Sequence, residues 1–180
     1  KKPLQRLDAA TEVKKADEII TRLEAGARVA LVTDAGTPGI SDPGQRLITA
    51  VRSFVASREE GRRIKIEAIP GPSALTAALS VAGVDTTAFT FLGFLPHKKG
   101  RQTALKKIAA MVRKDPPQGE IPVVLYESPH RILKLLKELE SLDVARVTLA
   151  RELTKVYEEV ISGTPAELTQ EFAARPEQRR

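Results

Sequence analysis

The sequence predicts an α/β fold in two lobes, built on a mainly parallel sheet that helices cover. Three observations predict it. Apolar runs of strand length alternate with helical periodicity along almost the whole chain, two consecutive strand-like runs end in loops rich in glycine and proline, and the alternation restarts after a linker-like stretch at 84–88. We therefore assign residues 1–86 to an N-terminal lobe and residues 87–180 to a C-terminal lobe.

The elements of the N-terminal lobe follow from apolar spacing and turn residues. Asp42 is the expected cap of the helix after the first loop, because its carboxylate can accept a hydrogen bond from the first turn, where Pro43 fits. In chain order the predicted segments are a helix over 11–25, a strand over 29–32, a helix from Pro43 that ends before the charged run 57–63, a strand over 64–69 and a short helix that ends near Gly83.

The C-terminal lobe is predicted in the same way. Ser128 is the expected cap of one helix, with Pro129 in its first turn, and Thr164-Pro-Ala-Glu167 fits a capping box. In chain order the predicted segments are a strand over 89–94, a basic loop over 95–100, a helix over 103–112, a surface turn over 116–119, a strand over 123–126, a helix through Leu139, a strand over 144–150, a segment over 156–161 that can pair beside it, and a last helix from Thr164.

Composition excludes several classes of function. With no cysteine and two histidines, His97 and His130, the chain has no disulfide, no thiolate zinc site and no thiol nucleophile, so we expect no metal. No run approaches the ~18 apolar residues of a membrane span and the first residues do not resemble a signal peptide, so we expect a cytoplasmic protein without a membrane partner. The net charge of +6 favours a polyanionic partner, although many basic proteins bind no nucleic acid.

Common nucleotide and hydrolase motifs are absent. Gly39 and Gly44 have the spacing of a phosphate-binding P-loop, but Gln45 and Arg46 stand where its Lys and Ser/Thr belong. The sequence has no G-x-G-x-x-G fingerprint, no G-x-S-x-G elbow and no H-E-x-x-H helix. Kinase, hydride-transfer, esterase and zinc-protease chemistry are therefore disfavoured.

The two glycine and proline loops are the strongest sign of a binding site. Residues 34–44 and 70–74 each follow a strand-like run and open a helix. Ligands of open α/β sheets bind at the carboxyl ends of the strands, where glycine lets backbone N–H groups approach closely and helix N-termini favour anionic groups. The rival interpretation is that these glycines and prolines serve only as turn residues.

Five motifs in order resemble the branch of the tetrapyrrole methylase family that methylates 16S rRNA. The motifs are Asp34-Ala-Gly-Thr-Pro-Gly-Ile-Ser-Asp-Pro-Gly44, Pro70-Gly-Pro-Ser-Ala-Leu75, Phe91-Leu-Gly-Phe-Leu-Pro96, Tyr126-Glu-Ser-Pro-His-Arg131 and Ala150-Arg-Glu-Leu-Thr-Lys155. The resemblance implies a two-lobed, class III S-adenosylmethionine-dependent methyltransferase that binds its cofactor between the lobes and acts as a homodimer. It also implies methyl transfer to the ribose 2′-hydroxyl of a cytidine in the 16S rRNA of the small ribosomal subunit.

One departure from the family concerns the ends of the sequence. The family normally opens with a strand and a loop close to T-P-I-G-N-L, then an E-D-T-R motif, and it carries a C-terminal extension. None of these occurs in the sequence. We therefore expect this chain to be the middle of a longer protein.

The resemblance also assigns roles to individual residues. It implies that Tyr126 and Glu127 close over the cofactor from the second lobe, and that a side chain near a strand end accepts the ribose proton. The implied cofactor-binding residues are Asp34, Gly36, Thr37, Ile40, Ser73, Ala74, Tyr126 and Glu127. The candidate proton acceptors are Glu127, Lys155 and Glu152, with Asp34 and His130 also considered. The candidate RNA-binding residues are His97, Lys98, Lys99, Arg101, Arg131 and Arg151, with Lys106 and Lys107 further along the helix.

Rival interpretations remain open for these residues and for the whole function. Glu127 and Arg131 can form an ion pair at a helix start, and Arg151, Glu152 and Lys155 a salt-bridge cluster. The same fold can methylate a tetrapyrrole precursor or the diphthamide precursor, although the basic loop and the Tyr126 to Arg131 motif argue against this. The chain can also be a non-catalytic binding or dimerisation module.

Overall fold

The chain forms two compact units, residues 1–73 and residues 74–180. The computed structural model describes residues 3–57, 64–112 and 121–175. The division lies earlier than the 86/87 boundary predicted from the linker-like stretch, because the short helix α3 (Ala74–Val81) belongs to the C-terminal unit.

Two helices, α1 (Glu12–Glu24) and α2 (Gln45–Ala56), build the core of the N-terminal unit. Their apolar faces pack together through Ala16, Ile19, Ile20, Leu47 and Val51. The turn before α1 is fixed by Asp8, whose Oδ1 accepts hydrogen bonds from the N–H of Thr11 at 2.9 Å and from its hydroxyl at 2.9 Å. The hydroxyl bond is the main reason that the pKa of Asp8 is lowered. The helices predicted over 11–25 and after the first glycine loop are thus present as α1 and α2.

The two strands predicted for the N-terminal unit do not form ladders. Among the residues described there, 29–32 and 64–69 are irregular, and Val32 and Ile69 are 73% and 83% exposed. The strand prediction was wrong for both segments because an apolar run expresses a preference for burial, whereas a strand also needs a neighbour that pairs with its backbone.

The C-terminal unit contains one parallel and one antiparallel pair of strands. β1 (Thr90–Phe94) runs parallel to β2 (Val123–Tyr126), with α4 (Arg101–Met111) between them in the sequence. A shift in the register between Phe91 and Gly93 bends β1, and Gly93 has φ 62° there. β3 (Val147–Arg151) pairs antiparallel with β4 (Glu159–Gly163), as expected for neighbouring segments. The predicted α/β fold class is confirmed, although within the described residues only one strand pair is parallel.

Two further helices complete the unit. α5 (Ile132–Glu140) and α4 share a core made by Leu95, Leu105, Ile108, Leu135 and Leu139. The last helix, α6 (Pro165–Ala174), begins with the predicted capping box. Glu167 accepts from the Thr164 N–H at 2.8 Å, which is the main cause of its lowered pKa, and the Thr164 hydroxyl accepts from the Glu167 N–H at 3.2 Å.

Three predicted helix starts differ from the structure. α2 begins at Gln45 rather than Pro43, because the Asp42 carboxylate accepts from the Thr33 hydroxyl at 3.0 Å and is not the cap. α5 begins at Ile132, since Ser128 to Arg131 form a turn closed by the Arg131 N–H and the Ser128 carbonyl at 2.9 Å. α4 begins at Arg101, two residues before the prediction. The surface turn predicted at 116–119 lies outside the described residues.

Candidate functional site

The glycine loop 34–44 has the backbone that its sequence demands. Gly36 and Gly39 have φ of 74° and 81°, which glycine adopts without strain, and Ser41 has φ 59°. A turn from the Thr37 carbonyl to the Ile40 N–H at 3.3 Å shapes its centre. Asp34, Gly36, Thr37 and Ile40 are exposed, so the loop presents a carboxylate, backbone groups and an apolar side chain to a ligand.

The second glycine and proline loop lies against the first within the N-terminal unit. The Thr37 hydroxyl donates a hydrogen bond to the Pro72 carbonyl at 3.1 Å. A Cβ atom added at Gly36 would lie 3.9 Å from the same carbonyl oxygen. The two loops that are predicted to form a binding site are therefore adjacent, with Ser73 next to the contact.

A buried glutamate that the sequence did not identify holds the end of the glycine loop. Glu12, 4% exposed at the start of α1, accepts three backbone hydrogen bonds on Oε1, from Gly44 at 2.9 Å, Arg46 at 2.7 Å and Leu47 at 3.1 Å. It caps α2 in place of the predicted Asp42. No local pattern signals this role, because the partners lie 32 to 35 residues apart in the sequence.

Gly44, the residue between the loop and α2, lies close to the side chain of Leu31. An added Cβ atom would lie 2.6 Å from Leu31 Cδ2, and Gly44 has φ 132°. The end of the loop is thus packed against Leu31, which precedes the loop. The hydrogen bond from the Thr33 hydroxyl to Asp42 joins the same two parts of the chain. The loop is held at both ends.

In the C-terminal unit, Glu127 lies buried between two arginines. Its Oε1 accepts from Arg131 Nη2 at 2.6 Å and from the Ser128 N–H at 2.8 Å, and its Oε2 lies 3.5 Å from Arg101 Nη2. Only 4% of the side chain is exposed. The ion pair with Arg131, one of the interpretations open from the sequence, is present, and each carboxylate oxygen contacts an arginine.

Arg101 lies in the same cluster and not on the surface. It is 3% exposed, and its guanidinium donates to Glu138 through Nε at 3.0 Å and through Nη2 at 2.6 Å. These hydrogen bonds are the main reason that the pKa of Arg101 is raised, with burial acting in the opposite direction. This geometry does not support the predicted contact of Arg101 with RNA, because carboxylates already enclose the guanidinium.

The neighbouring basic residues of the loop are accessible. Lys98 and Lys99 are exposed, and His97 Nδ1 lies 2.9 Å from Arg131 Nη1. Lys106 and Lys107 are exposed on α4. Tyr126, a predicted cofactor residue, is partly buried at the end of β2, with its ring centroid 5.0 Å from that of Phe91 and 5.5 Å from that of Phe94.

The remaining predicted residues lie in and beside the loop after β3. Glu152 and Thr154 have φ of 48° and 66°, a region that L-residues rarely adopt. Lys155 Nζ lies 3.1 Å from Glu152 Oε1. Arg151 donates to Glu159 at 2.6 Å, and its guanidinium carbon lies 6.0 Å from the Phe172 ring centre, so this predicted RNA ligand is held within the fold.

Two negative findings concern the part of the chain that the structure describes. It contains no group of three His, Asp or Glu side chains placed to hold a metal ion. It also contains no helix both long and apolar enough to cross a bilayer.

Comparison with known families decides the classification. The profile of the tetrapyrrole (corrin/porphyrin) methylases matches residues 1–169. The chain belongs to the tetrapyrrole methylase family. The five motifs and the α/β elements described above are therefore those of a tetrapyrrole methylase.

Several curated members of the tetrapyrrole methylase family are similar to this chain. Proteins named ribosomal RNA small subunit methyltransferase I are 41% identical in Xylella fastidiosa, over 99% of this chain and 61% of that protein, and 38% identical in Thermotoga maritima, over 96% and 71%. The protein of that name from Vibrio cholerae is 42% identical over 86% of this chain and 49% of its own length. The chain thus spans about half to seven tenths of the length of these relatives.

The structure brings together some predicted site residues of this tetrapyrrole methylase within each unit. In the N-terminal unit the loop around Thr37 and the loop before Ser73 are adjacent. In the C-terminal unit Glu127 and Arg131 are paired, and Glu152 and Lys155 form a separate pair. The roles assigned to these residues stay predictions.

Proposed function

We propose that this tetrapyrrole methylase transfers a methyl group from S-adenosylmethionine to the ribose 2′-hydroxyl of a cytidine in the 16S rRNA. The names of the relatives support a ribosomal RNA substrate and a methyltransferase activity. A ribosomal substrate implies a cytoplasmic enzyme. We include in the proposal the homodimer that the sequence resemblance implies.

The observation that carries the cofactor proposal is the Thr37 to Pro72 hydrogen bond. It joins the two glycine and proline loops, so backbone groups of both are available to one ligand. The residues fit the cofactor in kind: open backbone at Gly36 and Gly71 can approach it closely, and exposed Ile40 offers apolar surface. Asp34, Gly36, Thr37, Ile40, Ser73 and Ala74 are the proposed contacts, with Tyr126 and Glu127 in the C-terminal unit.

Methyl transfer requires the protein mainly to position the methyl donor and the acceptor hydroxyl. When bound, S-adenosylmethionine supplies an activated methyl group. The chain must hold the ribose hydroxyl in line with that group and accept its proton. Of the proposed proton acceptors, Lys155 and Glu152 pair with each other in a loop with left-handed backbone at Glu152, whereas both oxygens of Glu127 are engaged.

We propose that the RNA contact is the exposed basic surface of the C-terminal unit. Its members are His97, Lys98, Lys99, Lys106 and Lys107, with Arg131 at its edge. None of the four lysines makes an ion pair with any residue that the structure describes. Such cations can contact phosphates without reading bases. Arg101 and Arg151 are left out because carboxylates already engage them.

Substitutions in the two loops test the cofactor proposal. We expect Thr37→Arg and Ser73→Arg each to abolish binding of S-adenosylmethionine, because a long charged side chain would fill the space between loop and ligand. Isothermal titration calorimetry measures this directly. Thr49→Arg is the matched control, since Thr49 is exposed on α2 of the same unit and its hydroxyl donates to the Gln45 carbonyl of its own helix. Unchanged affinity in both loop variants would refute the assignment.

Methyl transfer tests the substrate. We expect label from S-adenosylmethionine to enter 16S rRNA in unmodified small subunits. Label on a porphyrinoid, separated by reverse-phase chromatography, would instead favour a tetrapyrrole methylase in the literal sense of the family's description. Binding of rRNA without any transfer would favour a non-catalytic module.

A further inference from the structure

The two arginines bound to Glu127 also hold the basic loop, defined as residues 95–100. Arg101 Nη1 donates to the Pro96 carbonyl at 3.3 Å. Arg131 Nη1 meets His97 Nδ1 at 2.9 Å. The loop is therefore attached at two successive residues to side chains whose other ends are bound by Glu127.

The cluster pairs two arginines with two glutamates, and Lys134 lies 4.0 Å from Glu138 at its edge. Arg101 and Arg131 face Glu127 and Glu138, and Glu138 binds Arg101 through both carboxylate oxygens at 3.1 and 3.0 Å from Nε. A buried guanidinium is stable only when carboxylates and hydrogen bonds satisfy it. Glu127 is the one carboxylate that contacts both arginines among the described residues, so its loss would weaken both attachments of the loop.

The residues that follow these attachments are the exposed lysines. Lys98 and Lys99 continue directly from His97, and the Lys98 carbonyl accepts from the Arg101 N–H at 3.2 Å. Gly100, with φ 85°, then opens α4. The buried cluster thus determines where the two ammonium groups are presented.

We propose that Glu127 is a positioning residue that fixes the basic loop for RNA through Arg101 and Arg131, and that it is not the proton acceptor. The inference rests on the proposed function, because it takes the loop as an RNA contact. It accounts for the Tyr126-Glu-Ser-Pro-His-Arg131 motif by burial and ion pairing. A proton acceptor needs a carboxylate that can meet the ribose hydroxyl, whereas the Glu127 side chain is 4% exposed and each of its oxygens already contacts an arginine.

Steady-state kinetics of Glu127→Gln distinguishes the two roles. A positioning residue acts through substrate binding, so we expect KM for unmodified small subunits to rise about tenfold while kcat at saturation falls less than about threefold. A fall in kcat of about a hundredfold or more with an unchanged KM would identify Glu127 as a catalytic residue and overturn the proposal, as would unchanged KM and kcat.

Glu138→Gln keeps the test decisive if Glu127→Gln does not fold. This substitution weakens the ion pair of Arg101 and leaves Glu127 unchanged. If Glu127 is a positioning residue, KM should rise, whereas if Glu127 is the proton acceptor, KM should not change. Glu140→Gln is the control, because Glu140 is exposed on the same helix and its side chain makes no hydrogen bond or ion pair within the described residues. A raised KM in Glu140→Gln equal to that in Glu138→Gln would overturn the proposal.

Hydrogen exchange separates failure of this inference from failure of the proposed function. In the free protein we expect faster exchange at the amides of residues 97–100 in Glu127→Gln, with the amides of β1 and β2 still protected. Unchanged exchange in the loop would refute positioning whatever the substrate is. Faster exchange in a protein that transfers no methyl to RNA would leave the loop attachment correct and refute the proposed function.

Discussion

Glu12 is the single residue on which the start of α2 depends most. One buried carboxylate oxygen satisfies three N–H groups at the positive end of that helix. Glu12→Leu should therefore lower the free energy of unfolding by about 1.5–3 kcal/mol, the range for hydrogen bonds to a charged group. Glu12→Gln keeps an acceptor and should lower it less. Urea unfolding with an unchanged m value measures both.

A control substitution is available on α1, the helix that carries Glu12, and amide exchange gives an independent measurement. Glu18 is exposed on α1, and among the described residues its carboxylate accepts only from exposed Gln5, so Glu18→Leu should change stability little. Amide exchange at Gly44, Arg46 and Leu47 should accelerate in Glu12→Leu alone. Equal losses of stability in the two leucine variants would contradict the capping role.

At the residue scale, the sequence predicted what depends on local backbone chemistry. Gly36 and Gly39 sit in left-handed backbone, as a turn-rich motif indicates. The sequence did not predict the capping role of Glu12, because its partners are remote in the sequence. It also did not predict the burial of Arg101, because a count of charges does not show which cations are enclosed. Both depend on tertiary contacts.

At the scale of elements, the hairpin of β3 and β4 contains an acid-sensitive ion pair. Arg151 donates to Glu159 at 2.6 Å and Arg175 donates at 3.0 Å. The Arg151 hydrogen bond is the main cause that lowers the pKa of Glu159, while burial opposes it. A lowered pKa means that the folded state binds the proton less readily than the unfolded chain does.

The stability that Glu159 contributes should therefore be complete above its ordinary pKa of 4.5 and be lost as the pH falls through the lower folded-state pKa. Thermal unfolding between pH 7 and pH 3 should show a shallower acid loss for Glu159→Gln than for the parent. Exposed Glu140→Gln should keep the parental slope. An acid slope that stays the same in Glu159→Gln would exclude this pair as a source of the pH dependence.

Elements were predictable where a local signal and tertiary packing agreed. The capping box of Thr164 and Glu167 starts α6 as expected, because both partners lie within one turn. The apolar runs of the C-terminal unit form the predicted strands because each one pairs with a neighbouring strand. The apolar runs at 29–32 and 64–69 carried the same signal without pairing, which periodicity alone cannot distinguish.

At the scale of the whole molecule, the family could be predicted because its motifs are spread along the chain. Five short motifs in fixed order determine the fold class even where single strands are mispredicted, and the match to residues 1–169 agrees with this. The predicted boundary at 86/87 rests on a linker-like composition, whereas the compact units divide between residues 73 and 74. Contacts, not composition, decide that position.

The net charge of +6 strengthens RNA binding only through those cations that contact phosphates. Each phosphate neutralised by a lysine adds about 0.7–0.9 to the slope of log K against log salt. Reversing both exposed lysines of the basic loop, Lys98→Glu with Lys99→Glu, should weaken binding to small subunits and reduce that slope by about one to two, with affinity for S-adenosylmethionine unchanged. Filter binding between 50 and 200 mM salt measures the slope.

The matched control changes the net charge by the same amount elsewhere. Lys14 and Arg28 are exposed in the N-terminal unit, so Lys14→Glu with Arg28→Glu lowers the charge equally but leaves the basic loop intact. If the slope falls equally in both double variants, the attraction is a property of the overall charge. If it falls only in the loop variant, the lysines presented by the Glu127 cluster contact the RNA, because counterion release is counted only where a phosphate is bound.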